Sequence, residues 1–126
     1  MKNADSHLTL TEFELEIMHV IWELGSCTVR QVYEVLRERK KIAYTTVMTM
    51  MNILESKGHL DKHKQGRAFV YQPVQAKSAV ISGLVEDFVS RVFQGSVRPL
   101  VLSLVKDRKL SEKDLEEISR MIKETE

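Results

Sequence analysis

The sequence is poor in the residues that build disulfide, redox and metal sites. Its 126 residues include one cysteine, Cys27, which excludes an internal disulfide and a cysteine-based metal centre. The four histidines share no recognisable ligand spacing, so we expect no metal site. The sequence also lacks GxSxG, HExxH and glycine-rich phosphate-loop motifs. We therefore expect no catalytic residues, no cofactor and no enzymatic activity.

Long hydrophobic runs are also missing. No apolar segment approaches the roughly 18 residues that a membrane-spanning helix needs, so we expect no membrane insertion. The opening MKNADSHLTL lacks the basic and then apolar pattern of a secretory signal. These two absences predict a cytoplasmic protein. With 43% hydrophobic and 29% charged residues, the composition is typical of a globular chain with one compact domain or two small ones.

Positive charge is concentrated in the middle of the chain, although the net charge is only +1. Residues 1–27 carry one base and five acids, a net charge of −4. Residues 28–73 carry nine bases and four acids, a net charge of +5, and residues 74–126 are neutral. A basic segment of this kind suggests a polyanionic partner, while an unevenly charged solvated surface is the alternative interpretation.

Three helix starts can be read directly from capping boxes, in which a Ser or Thr side chain caps the helix and an acid or Gln reaches back. We expect the first helix to end at Gly25 and its acidic residues to lie on its outer face as solubilising charge. Cys27 stands just before the second cap, where we favour an apolar packing role over a redox role. The three pairs are Thr11 with Glu14, Thr28 with Gln31, and Ser111 with Asp114.

A third helix is predicted from Tyr44 to Lys57, closed by Gly58. Its apolar residues recur at helical spacing and predict one buried stripe. The opposite row carries no charge, which is unusual for a surface helix and indicates a functional demand. The buried stripe comprises Val47, Met50, Met51 and Leu54, and the outer row comprises Thr45, Thr49, Asn52 and Ser56.

After Gly58 the hydrophobic period changes from helical to alternating, which predicts a β-hairpin that ends at Pro73. Its tight turn follows Gln65, and its tip carries Lys64 and Arg67. Three helices followed by a basic hairpin are typical of a winged helix-turn-helix. We therefore predict a mainly α fold with a small β-hairpin wing, in which residues 1–73 form a winged helix-turn-helix DNA-binding domain.

The C-terminal part, residues 74–126, is predicted to form three helices, at Ala76–Phe93, Pro99–Lys106 and Glu112–Lys123. The first of them has an apolar stripe too broad for one neighbouring helix to cover. Three short helices bury little surface alone, so a second copy of the chain is the simplest cover. We expect residues 74–126 to be a helical dimerisation domain and the protein to be a homodimer.

The candidate binding residues follow from the placement of the third helix in the major groove of DNA. Thr45, Thr46 and Thr49 are expected to read base edges with hydroxyl and methyl groups, and Asn52 ranks below them because it lies deep in the helix. Met48 is an apolar DNA contact or a flank of the buried stripe. Tyr71 and Phe69 are expected to pack the wing on the core. Phosphate contacts are expected from basic side chains. Arg67 at the tip of the wing is expected to hold the backbone or to enter an adjacent minor groove. The full DNA-binding set is Thr45, Thr46, Thr49, Arg67, Lys64, Thr28 and Asn52, with Lys62, Arg30, Arg37, Arg39, Lys40 and Lys41 as further phosphate candidates.

Several stretches together resemble the penicillinase-repressor family, the BlaI/MecI group. These are LTxxExxIMxxIW from Leu10, TVRQVYEVL, YTTVMTMMNILESKG, the wing GRAFVYQP, and LVLSLV followed by LSEKDLEEI. The resemblance covers about residues 8–124. It implies a homodimeric winged-helix repressor that binds a dyad operator, in family members often built from TACA and TGTA half-sites at β-lactam-resistance promoters.

The resemblance also implies release from DNA by proteolysis within the C-terminal domain, with a membrane sensor protease as the partner. The family's staphylococcal members are cut at Asn-Phe, and the matching candidate bond here is Ser103-Leu104. Ala43-Tyr44 replaces their Ser-Pro at the start of the recognition helix, which indicates another branch of the family. The C-terminal part has no cysteine, unlike the copper-responsive relatives.

Two other functions stay open at this point. A winged helix can serve as a protein-interaction module, and a repressor can be controlled by a small ligand instead of by proteolysis. Salt-dependent binding to DNA separates the first from a repressor. The operator, the regulated genes and the inducing signal do not follow from the sequence.

Overall fold

The computed structural model describes residues 10–125, which form six helices and one two-stranded sheet. Residues 1–9 and 126 lie outside the described residues. Residues 1–9 include most of the MKNADSHLTL segment, so the prediction that this segment is not a secretory signal also lies outside the described residues. In chain order the elements are α1 (Glu12–Leu24), α2 (Val29–Leu36), α3 (Tyr44–Ser56), β1 (Leu60–Gln65), β2 (Ala68–Pro73), α4 (Lys77–Phe93), α5 (Arg98–Lys106) and α6 (Glu112–Thr125).

The helix starts confirm all three predicted capping boxes. The Thr11 backbone N–H donates to Glu14 Oε1 at 2.9 Å, and the Thr28 N–H donates to Gln31 Oε1 at 2.9 Å. The Ser111 N–H donates to Asp114 Oδ2 at 3.0 Å, and this bond is the main cause that holds the pKa of Asp114 below its usual range. These bonds satisfy N–H groups that the first helical turn leaves without an intrahelical partner.

Helix α1 packs against α2, α3 and β2 in the hydrophobic core of the first part of the chain. Met18 and Ile21 are buried, and Ile17 and Val20 are buried with them. The burial of α1 is wider than one stripe because neighbours cover it from several directions. From α2 and α3, the fully buried side chains are Val32, Leu36, Val47, Met51 and Leu54, while Met50 is partly buried.

One acid of α1 is buried, which corrects the expectation that its acids all lie on the outer face. Glu14 is only 3% exposed, and its carboxylate accepts hydrogen bonds from Lys57 Nζ at 2.9 and 3.0 Å. Burial on its own would raise the pKa of Glu14, but the Thr11 N–H and the Lys57 ammonium together hold it below its ordinary value. The pair joins the start of α1 to the end of α3.

Strands β1 and β2 form an antiparallel hairpin whose two-residue turn, Gly66-Arg67, lies between the paired Gln65 and Ala68. Gly66 has φ +65°, a conformation that glycine adopts without steric cost. At the other end of the hairpin, Tyr71 forms a β-bridge with Cys27. Tyr71 is 2% exposed, which confirms that it packs the wing on the core.

The expectation that Phe69 packs into the core is wrong, because its side chain is 45% exposed. Phe69 lies on the same face of β2 as Tyr71 but two residues nearer the tip of the hairpin. Its ring lies beneath the Lys62 ammonium, 4.8 Å from the ring centroid. A cation in this position stabilises an aromatic ring that remains in contact with water.

The chain divides into two compact units, with the division between Leu84 and Val85 inside α4. The hairpin ends at Pro73, and the predicted functional boundary between residues 73 and 74 stays a prediction. None of the helices in residues 10–125 has both the length and the apolar character that crossing a membrane requires.

The second unit, beginning at Val85, leaves many apolar side chains in contact with water. No residue of α5 or α6 is buried. Along the second half of α4, Val89 is buried, but its neighbours are exposed. The exposed apolar side chains of this unit are Val85, Phe88, Val92, Val97, Val101, Leu102, Val105, Ile118, Met121 and Ile122.

Candidate DNA-binding interface

The outer face of α3 presents the three threonines that the sequence analysis selected. Thr45, Thr46 and Thr49 are all exposed, and no charged side chain lies among them. Their orientation is fixed by the opposite side of the helix, where Val47 and Met51 are completely buried. The buried stripe therefore sets the rotation of α3 and directs the threonines to solvent.

A concave surface, which encloses a cleft with a volume of about 430 Å³, lies between α3, the start of α2 and the wing. It brings together three members of the predicted DNA-binding set, Thr28, Asn52 and Arg67, and two of the further phosphate candidates, Arg30 and Lys62. The threonines of α3 are not part of its lining, so the candidate interface has a convex part on α3 and a concave part beside it. The other lining side chains include Tyr44, Met48, Phe69 and Tyr71.

Tyr44 is a member of this surface that the sequence analysis did not select. Its side chain is 37% exposed, its ring lies edge-on to Tyr33 at 5.5 Å, and the Arg30 guanidinium is 5.2 Å from its ring centroid. Arg30 also forms an ion pair with Glu34 at 3.3 Å, so it is oriented from two sides. The signal in the sequence for this position is an aromatic residue at the start of the predicted third helix.

The basic residues predicted as phosphate contacts have different surroundings. Lys64 and Arg67 are exposed at the tip of the wing and form no ion pair within the described part of the chain. Arg37 shares Glu34 with Arg30, at 3.4 Å, and Lys40 pairs with Glu16 at 2.8 Å. Exposed pairs of this kind contribute little to stability.

The predicted residues Lys62 and Asn52 are hydrogen-bonded to each other. Lys62 Nζ donates to Asn52 Oδ1 at 2.9 Å, and the Tyr71 hydroxyl donates to the same oxygen at 2.8 Å. Asn52 and Lys62 are half-buried. The side-chain oxygen of Asn52 is thus occupied, whereas Thr45, Thr46 and Thr49 project from the surface of α3.

The arrangement offers hydroxyl and methyl groups on a helix and cations on the wing beside it. Hydroxyl and methyl groups match base edges and thymine methyl groups in the major groove, and cations match phosphates. The chemistry is that of binding rather than catalysis. Across residues 10–125, no three His, Cys, Asp or Glu side chains gather into a metal site.

Comparison with known proteins gives a family and a structural neighbour. The family model described as Penicillinase repressor matches residues 10–124. The penicillinase repressor of Bacillus licheniformis is 31% identical over 115 residues, which cover 91% of this chain and 90% of that protein. The methicillin resistance regulatory protein MecI of Staphylococcus aureus (strain N315) is 25% identical over 113 residues, which cover 90% of this chain and 92% of that protein.

A solved structure, the solution structure of the DNA-binding domain of the repressor BlaI, is similar to this chain with 37% sequence identity and a TM-score of 0.52. The similarity covers 56% of this chain and 87% of that one. The fold and the exposed face of α3 define a winged helix-turn-helix transcriptional regulator. The family match extends over nearly all of the described residues. The chain belongs to the penicillinase repressor family, which confirms the resemblance to the BlaI/MecI group and identifies a repressor, not an enzyme.

Proposed function

We propose that the protein represses transcription as a homodimer that binds a two-fold symmetric DNA operator in the cytoplasm. One α3 helix from each subunit enters the major groove, and each wing contacts the flanking backbone. Thr45, Thr46 and Thr49 read the bases, whereas Arg67, Lys64 and Thr28 hold the phosphates. The observation that carries the proposal is the exposed, chargeless outer face of α3 next to the cationic wing tip.

The homodimer is supported by the second unit. Its helices leave Met121 and Ile122 on α6 59% and 56% exposed, and Val92 on α4 53% exposed. Apolar residues gathered on one small unit in this number mark an interaction surface, because monomeric proteins rarely expose a large contiguous apolar patch. A second copy brings an identical set of apolar side chains, which a symmetric interface pairs with the first.

Dimerisation also serves DNA binding directly. When one subunit occupies its half-site, the other is held near the second half-site at a high effective concentration. Two weak half-site contacts then give tight binding without any additional contact. Separation of the subunits loses this gain, so the dimer interface is the natural place for control.

Base reading is tested by selecting preferred sequences from a random DNA library with the full chain and with the double variant Thr45→Ala and Thr49→Ala. The wild type is expected to enrich a two-fold symmetric sequence, and the double variant to lose the preference while remaining dimeric. Alanine has a higher helix propensity than threonine, so the double variant is expected to keep the stability of α3. Ser56→Ala, at the far end of the same face, is the matched control and should retain the preference. An unchanged preference in the double variant would remove the threonines from the interface.

The dimer is tested by Met121→Glu, which places a charge on the exposed apolar face of α6. We expect a monomer by light scattering and operator binding weakened by roughly 10² to 10⁴-fold. Ser119→Glu adds the same charge at another exposed position of α6 and is the matched control. A Met121→Glu protein that stays dimeric and binds at full strength would contradict the proposed interface.

For release, we propose cleavage of the Ser103-Leu104 bond by a membrane sensor protease. The bond lies within α5, with Ser103 exposed and Leu104 half-buried. The helix around a peptide bond must unwind locally before a protease can cut that bond. Helix α5 has no buried residue, so its local unwinding costs little free energy. The candidate bond is tested by mass spectrometry of the protein recovered from induced cells. An intact chain in cells that express the regulated genes would favour control by a small ligand.

A winged helix that binds another protein is the alternative to a DNA-binding repressor. The two differ in their response to salt, because DNA binding releases counterions and weakens steeply as salt rises. A repressor is expected to lose operator affinity by orders of magnitude between 50 and 200 mM salt when it makes roughly six to ten phosphate contacts. Binding that does not depend on salt would favour the protein-interaction module.

A further inference from the structure

Asn52 lies at the junction between the recognition helix and the wing, and its side-chain oxygen is bound twice. Lys62 Nζ of β1 donates at 2.9 Å and the Tyr71 hydroxyl of β2 donates at 2.8 Å. The two donors come from paired residues of opposite strands. A single oxygen on α3 therefore binds both strands of the hairpin at one pair of opposite residues.

The chemistry of the donors fixes the orientation of the Asn52 amide. A lysine ammonium has three donors and no acceptor, so the atom that faces it must be the amide oxygen. The Tyr71 hydroxyl reinforces this assignment as a second donor. Burial raises the pKa of Tyr71 above its ordinary value, with smaller contributions from Glu55 and Tyr44, so the phenol keeps its proton at neutral pH.

The wing residues that hold Asn52 are themselves fixed. Tyr71 exchanges two backbone hydrogen bonds with Cys27, at 2.9 and 2.7 Å. The Lys62 ammonium lies 4.8 Å from the ring centroid of Phe69 and 5.8 Å from that of Tyr71. The network thus extends from the base of the wing, at Tyr71, towards its tip, at Phe69.

An asparagine that reads adenine needs its oxygen as an acceptor for the base N6 amino group and its amino group as a donor to N7. In this protein the oxygen is already engaged by two donors, one of them charged. Breaking these bonds to reach a base would leave the hydroxyl of Tyr71, a residue that is only 2% exposed, without its acceptor. Adenine reading by Asn52 is therefore disfavoured.

We propose that Asn52 is a positioning residue, which sets the wing and its cationic tip against α3 by holding Tyr71 and Lys62, and that it does not read a base. This role rests on the proposed function, since the wing tip is taken to contact the DNA backbone through Arg67. Asn52 then contributes to affinity through Arg67, while Thr45 and Thr49 supply the sequence preference.

The proposal is tested on the full-length chain with Asn52→Leu, Arg67→Ala and the double variant, using the sequence that the wild type selects. Arg67→Ala removes one phosphate contact and should lower the slope of log affinity against log salt by about one. Asn52→Leu is expected to lower the slope by a similar amount and to leave the preferred sequence unchanged. The double variant should bind within about twofold of the weaker single variant, because both changes act on one contact.

Two further variants, Tyr71→Phe and Ser56→Ala, complete the experiment. Tyr71→Phe removes one hydroxyl and keeps the ring, so it tests the network even where Asn52→Leu lowers the yield of folded protein. It is expected to shift the slope in the same direction by a smaller amount. Ser56→Ala, on α3 but outside the network, should leave both slope and preference unchanged. Without DNA, amide hydrogen exchange across residues 60–73 should be faster in Asn52→Leu and in Tyr71→Phe than in Ser56→Ala.

Three results would overturn the proposal. The first is a changed base preference at one position in Asn52→Leu with an unchanged salt slope, which is the mark of direct reading. The second is full additivity with Arg67→Ala, and the third is wing amide exchange that neither variant alters. Failure of the proposed function is distinct, since in that case the wild type itself selects no DNA sequence.

Discussion

The ion pair between Glu14 and Lys57 ties the start of α1 to the end of the recognition helix, and Glu14→Gln removes its charge at little steric cost. Glutamine still accepts the Thr11 N–H, so the capping box remains. What the variant loses is the attraction between a carboxylate that is 4% exposed and an ammonium side chain that is 28% exposed, 2.9 Å away.

The expected loss lies between two limits. Removing one partner of a fully buried pair costs about 3–5 kcal/mol, whereas exposed pairs contribute about 0.2–1 kcal/mol. Since one partner is buried and the other is partly hydrated, we expect Glu14→Gln to lower the free energy of unfolding by about 2 kcal/mol. For a unit of this size, that corresponds to a fall in Tm of roughly 8–16 °C.

The assay is thermal or urea unfolding at one protein concentration, for wild type and variant, at pH 7 and at pH 3. The pKa of Glu14 is lower in the folded protein than its ordinary value of 4.5. The carboxylate therefore stabilises the folded state fully above pH 4.5, and its contribution is lost as the pH falls through the lowered value. The gap between wild type and variant should be largest at pH 7 and should close in acid.

The exposed pair of Glu34 with Arg30 and Arg37 supplies the control. Glu34→Gln removes a carboxylate whose side chain is 47% exposed, so we expect a loss below about 0.5 kcal/mol at any pH. If the stability difference between wild type and Glu14→Gln is the same at pH 7 and pH 3, or no larger than that of the control, the ion pair does not stabilise the fold as described.

Two other substitutions and one chemical test extend the account. Arg67→Ala should weaken binding to all DNA sequences by a similar factor, measured by fluorescence anisotropy, whereas Thr49→Ala should weaken binding mainly to the selected operator. Equal losses for the two variants on random DNA would contradict this division of roles. Cys27 is 1% exposed and burial raises the pKa of its thiol to about 11, so iodoacetamide should modify it at pH 8 only after unfolding, as followed by mass spectrometry. Rapid alkylation of the folded protein would show that the core beside the wing opens readily.

The local elements of this fold were predictable because their signals lie close together in the chain. Each capping box uses residues three positions apart, and the buried stripe of α3 repeats every three or four residues. The same stripe predicted the exposed threonines, since the outer face of a helix follows from its inner face. The tight turn of the hairpin followed from Gly66 and the change to an alternating period.

The features that the sequence did not reveal are pairings between distant residues. Glu14 is buried because Lys57, 43 positions away, reaches its carboxylate. Asn52 is engaged by Tyr71, 19 positions away, so its lower-ranked candidate role in reading bases was drawn from its position on the helix alone. Phe69 follows the alternation of β2, but alternation does not tell how far the helices cover the hairpin. Such pairings depend on tertiary packing, which the hydrophobic pattern of one element does not encode.

A DNase footprint of the purified full-length protein on the sequence that it selects shows directly whether two α3 helices bind together. We expect two protected half-sites related by a two-fold axis, with their major grooves on the same side of the duplex. Protection of a single half-site, or of none, would contradict a pair of α3 helices that read the bases together.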